Sequence, residues 1–171
     1  SNRGEKFDVA NDPEIMLYNQ YFGGGMNSIV FQEMREARAL AYSAYASLDD
    51  PNNRDDNYTF TAFIASQNDK LQAAVETFDK IINEMPESEE AFKVANSSML
   101  ANFRTNRTTG ASVLFEYLSL QDLGLKEDRN KAMFDKIQGM TLADVKTAQE
   151  KWVKERTYFY GFLGDQRSLD M

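Results

Sequence analysis

In the run MREARALAYSAYA, Arg35 and Tyr42 stand seven residues apart, a spacing that places both side chains on one face of a continuous helix. If the helix instead ends near Leu40, Tyr42 opens a following strand beside the last helical turn. Either way a guanidinium and a phenol can converge. Both are hydrogen-bond donors, suited to holding a peptide carbonyl or a developing oxyanion. The plainer reading is an arginine paired with a nearby carboxylate and a tyrosine half packed into the core, and spacing by itself favours it.

Two other stretches invite a chemical reading and fail it. Gly23-Gly24-Gly25 is no dinucleotide fingerprint, because a helical pattern precedes it and Ser28 occupies the place of the third glycine. No Gly-Lys-Ser/Thr follows to make a phosphate loop. The glycines read as a corner between two helices, with the left-handed cap conformation that glycine adopts without a Cβ penalty. The acidic run DDPNNRDDN offers Asp49, Asp50, Asp55 and Asp56 to a calcium ion, but it lacks the central glycine and closing glutamate of an EF-hand loop. A solvated connection is expected there.

Composition narrows the chemistry further. With no histidine and no cysteine, the chain cannot assemble a Ser/His/Asp triad, a thiolate nucleophile, a disulfide or a zinc site of the usual nitrogen and sulfur ligands. No cofactor or metal is expected in this chain, and any metal for such chemistry must come from elsewhere. Nineteen Lys+Arg against 27 Asp+Glu give a net charge of -8, which repels nucleic-acid backbones and anionic lipid surfaces. Nucleic-acid binding and membrane insertion are therefore not expected, and no apolar run approaches the ~18 residues of a membrane span. At 171 residues and 42% hydrophobic content, residues 1–171 suit a single domain. The compartment stays open, envelope or periplasm and cytoplasm alike.

The elements that must position Arg35 and Tyr42 follow from pattern. Asp12-Pro13 reads as an N-cap with proline in the first helical turn, starting a helix over 13–22. A second helix, capped by Asn27 or Ser28, is expected over 27–40, with Val30, Phe31, Met34 and Arg38 along one side. Alternating aromatic and small residues predict strands over 42–48 and 58–64, joined as an antiparallel hairpin by the acidic loop. Helical periods then run over 69–85, from Ser88 to Phe103, over 113–123, between Gly124 and Gly139, and after the capping box Thr141-Leu-Ala-Asp144. TYFYGFL at 157–163 returns to strand character. The expected fold class is α+β, an antiparallel sheet with a block of helices packed on one face. Three strands are few for so many helices, which predicts further strands upstream and makes the chain part of a larger domain.

The segment GGGMNSIVFQEMREARALAYSAYA resembles the non-catalytic homologous halves of M16 (pitrilysin and insulinase-type) zinc metallopeptidases, whose pattern is a glycine-rich corner, a Ser-containing helix and then L-R-E-x-R-G-L-A-Y-S. The likeness extends over roughly 12–164, through the two strands, the later helices and the closing segment. It implies a LuxS/MPP-like metallohydrolase domain lacking its opening strands. It also implies that the zinc, bound by a His-x-x-Glu-His motif and a distant Glu, lies in a partner domain of the same chain or of another subunit, and that the peptide substrate lies between the two. Matched residue by residue, Arg35 is then the substrate anchor and Tyr42 the hydroxyl that holds the scissile carbonyl. Ala39 stands where glycine is common in the family. The resemblance implies that this chain has no activity alone. It leaves open a catalytically inactive structural or assembly subunit, while a plain binding module would show Arg35 buried in a local ion pair and Tyr42 packed away from any cleft.

Overall fold

A computed structural model of the chain describes residues 2–105, 109–125 and 130–164. Helix α1 (Asp12–Phe22) is the centre of the helical layer, touching α4 (Glu89–Thr105), α6 (Asn130–Gln138) and α7 (Leu142–Trp152) as well as the sheet. Ile15, Leu17, Tyr18, Tyr21 and Phe22 of α1 are all buried, because this helix has neighbours on nearly every side. A short α2 (Ile29–Phe31) follows, capped by the Ser28 hydroxyl, and continues as a π-helical stretch, Gln32–Ala37. The remaining α-helices among the described residues are α3 (Leu71–Asn83) and α5 (Ala111–Asp122). The α7 capping box forms as expected, with the Thr141 N–H donating to the Asp144 carboxylate at 2.7 Å.

Among the described residues the antiparallel sheet has three strands in the order β1 (Asn2–Lys6), β3 (Asn57–Ala65), β2 (Ser43–Asp49). The expected hairpin is β2–β3, in register from Ser43↔Ala65 to Asp49↔Thr59. Alternation sends Ala44, Ala46 and Leu48 of β2 inward against the helices, and stacks Tyr45 on Phe63 on the outer face with ring centroids 5.6 Å apart. The expected α+β arrangement, an antiparallel sheet with helices packed against it, is thus present.

The third strand is not where pattern placed it. TYFYGFL at 157–163 forms no strand, whereas Asn2–Lys6 does. A strand is completed only by a hydrogen-bonded neighbour, and the aromatic segment docks by side chains instead. Tyr158 meets Phe60 edge-on at 5.7 Å, and the Tyr160 hydroxyl bonds the Asp79 carboxylate of α3. Between this segment, β3 and α3 lies a groove of about 450 Å³.

The glycine corner also differs in its cause. Gly23 caps α1 at φ -130°, outside the left-handed region. A Cβ there would sit 1.9 Å from the Ala46 carbonyl oxygen, so glycine is required by the close approach of α1 to β2. Asn19, one turn earlier, seals the same junction: its side chain donates to Leu48 O at 2.9 Å and accepts from Leu48 N–H at 2.8 Å. Gly25 alone of the three takes a positive φ, 131°.

Candidate functional site

Arg35 lies inside the π-helical stretch, and Tyr42 immediately precedes β2. Of the two arrangements open to the sequence, the helix ending before Tyr42 is the one realised. The turn between them is held by hydrogen bonds from both sides. The Ala39 N–H bonds Arg35 O at 3.0 Å, and both Leu40 and Ala41 donate to Met34 O, at 2.8 and 3.2 Å. The Tyr42 N–H reaches across to Ala65 O at 2.8 Å. From the other side the Ser66 hydroxyl donates to Leu40 O at 2.6 Å and the Lys70 ammonium to Ala39 O at 2.9 Å. Ala39 itself sits at φ 50°, a left-handed conformation unusual for a residue with a Cβ.

The wider π-helical turn redistributes the faces of the helix. Val30 and Met34 are buried as the helical period predicts, but Arg38 leaves their line and pairs with the Glu33 carboxylate on the surface. Arg35 projects from the same stretch over the Phe31 ring, 4.9 Å from its centroid. Its ion pair is loose, Nε to Glu36 Oε1 at 3.8 Å, and its side chain is 49% exposed. Tyr42 is 63% exposed. Arg35 thus has the neighbouring carboxylate of the plainer reading, whereas Tyr42 is not packed into the core.

Both side chains line one open depression of about 420 Å³ together with Glu36, Ala39, Gln67 and Lys70. Sequence reading missed Gln67 and Lys70, which reach the site from the turn after β3. They are 25 or more positions from Tyr42, and no local pattern marks them. The chemistry of the depression is that of donors: a guanidinium, an ammonium, a phenol and an amide, set against one carboxylate. Such groups donate hydrogen bonds to acceptor oxygens. The set does not suit zinc, and among the described residues no group of three or more His, Cys, Asp or Glu side chains is placed to hold a metal ion. No described helix is long and apolar enough to cross a membrane.

The fold is shared with solved bacterial proteins. The peptidase M16 inactive domain from Pseudomonas fluorescens superposes with a TM-score of 0.62 at 20% identity, covering 88% of this chain and 36% of that one. A conserved protein from Enterococcus faecalis V583 gives 0.71 at 14% identity over 89% of this chain and 35% of its own, and a protease from Helicobacter pylori 0.57 at 16% over 82% and 34%. The chain therefore spans about a third of the length of these proteins. Residues 4–99, more than half of the chain, match the family described as Peptidase M16 inactive domain, and the chain belongs to that family. No curated protein matches it.

Proposed function

We propose that this chain is the substrate-contacting, zinc-free domain of an M16 zinc metalloendopeptidase. The observation that carries the reading is that Arg35 and Tyr42, in a domain of the M16 inactive family, line one depression at a corner held by backbone and side-chain hydrogen bonds. In this reading a facing M16 domain, on the same polypeptide or another, brings the metal. That group supplies the Lewis acid and the activated water.

What this chain supplies is position and hydrogen bonds. The Arg35 guanidinium, planar and permanently charged, donates to the substrate's backbone carbonyls or to a carboxylate. The Tyr42 hydroxyl donates to the scissile carbonyl oxygen and gains strength as that oxygen becomes tetrahedral and anionic. Since the corner is already ordered, little freedom is lost when substrate arrives.

The test is Tyr42→Phe in the complete, zinc-bearing protein assayed on a quenched fluorescent peptide. The expected result is a fall in kcat of about 10- to 100-fold with KM changed less than about threefold, as for loss of a donor used in the transition state. Unchanged kcat would overturn the catalytic role and favour the structural or assembly subunit. The isolated chain should cleave nothing, with or without added zinc.

A further inference from the structure

Resting on that reading, we infer that the depression is a carboxylate-selecting subsite, in which Arg35 and Lys70 together hold an acidic side chain or the C-terminal carboxylate of a peptide. Lys70 spends one of its three N–H donors on Ala39 O at 2.9 Å, and this anchors the ammonium at the wall of the depression. Two donors remain. Arg35 is held over Phe31 and its ion pair with Glu36 is long, Nε to Oε1 at 3.8 Å. No described residue takes a hydrogen bond from its two terminal nitrogens, and these are the pair that grip a carboxylate in parallel.

The lining holds two cations and one carboxylate, Glu36, so the depression is locally positive on a chain whose net charge is -8. Tyr42 and Gln67 complete it with neutral polar groups. A carboxylate is the ligand that fits: it is planar, it matches the guanidinium fork, and it gains a second charge-assisted bond from the anchored ammonium. Lys70 is thereby a specificity residue, reached from the turn that follows β3 rather than from the segment carrying Arg35 and Tyr42.

The inference is tested on the intact chain by isothermal titration calorimetry with three peptides of one neutral, alanine-rich sequence. One carries a central Glu and an amidated end, one a central Gln and a free C-terminal carboxylate, and one a central Gln and an amidated end. At least one carboxylate peptide should bind about tenfold more tightly than the neutral one, and which of them does so identifies the source. Lys70→Met should erase that preference, Lys70→Arg should keep it, and Glu36→Gln should increase it. Ser66→Ala loosens the same corner without changing charge and should leave the preference intact. Equal affinity for all three peptides, failure of both carboxylate peptides to bind, or a loss of preference in Ser66→Ala equal to that in Lys70→Met would overturn the subsite. The turnover test on Tyr42 is independent. A normal Tyr42→Phe effect with no carboxylate preference removes only the selectivity of the site, whereas a preference without a Tyr42 effect removes the catalytic reading.

Discussion

At the scale of the residue, Ala39 concentrates the tension of the site. Its φ of 50° carries a Cβ penalty of roughly 1 kcal/mol, tolerated because Lys70 and Arg35 bond its carbonyl and amide. Ala39→Gly removes the penalty but loosens the unfolded chain by about 0.5–1 kcal/mol, so stability should stay level or rise by up to about 0.5 kcal/mol. Ala39→Val, β-branched at positive φ, should instead cost more than about 1 kcal/mol. Urea unfolding midpoints of the two variants check the sign. Arg35 and Tyr42 are singled out in the sequence by family pattern, since spacing by itself favours a plain structural reading. Lys70 and Gln67 are not, because residues that share a depression by tertiary folding leave no periodic trace.

At the scale of the element, the junction of α1 with β2 depends on a missing side chain. Gly23→Ala would drive a methyl into the Ala46 backbone, which neither a rotamer change nor a flexible neighbour can relieve. A loss of about 3 kcal/mol or more is expected, read as a lower thermal midpoint together with weaker near-ultraviolet circular dichroism. Sequence had assigned these glycines to a left-handed cap, since composition reports that a glycine is needed but not why. The same limit applies to β1. Asn2–Lys6 is charged and glycine-containing, without alternation, and becomes a strand only because β3 offers it an edge at Asn57 and Thr59. The segment at 157–163 has the alternation and lacks the pairing.

At the scale of the whole molecule, one buried polar chain ties the layers together. The Tyr18 hydroxyl donates to Gln149 Oε1 at 2.5 Å, and the Gln149 amide donates to Ile82 O, so α1, α7 and α3 share a fully buried link. Tyr18→Phe strands the Gln149 oxygen and should cost about 1–3 kcal/mol, whereas Gln149→Ala adds a cavity to two lost bonds and should cost more. Burial also raises the Tyr18 pKa well above its ordinary value, with a smaller push from Tyr158, and the Tyr160 pKa is raised by burial and by its bond to Asp79. A phenol whose folded pKa exceeds its unfolded one binds more protons in the folded state. Its stabilisation is complete below about pH 10 and is lost as pH rises from there toward the folded pKa. Thermal melts should therefore fall steeply above about pH 10, and Tyr160→Phe should flatten that slope; a slope unchanged in Tyr160→Phe would exclude its share.

The cap of α1 falls at Asn11 rather than at the expected Asp12, which is already the first helical residue. The sequence by itself determined the α+β class, the β2–β3 hairpin, the helical segments with the Ser28 and Thr141 caps, and the Arg35–Tyr42 segment as the place to look. Each of these rests on local period, turn chemistry or a contiguous family pattern. Only the tertiary structure decided that the helix widens into a π-turn around Arg35, that Ala39 is held left-handed by Lys70, that Gly23 serves a helix–strand contact, and that Asn2–Lys6 rather than 157–163 completes the sheet. The physical reason is that each depends on what the folded backbone meets, a hydrogen-bond partner or, at Gly23, a close neighbouring strand, and neither is encoded in the adjacent residues.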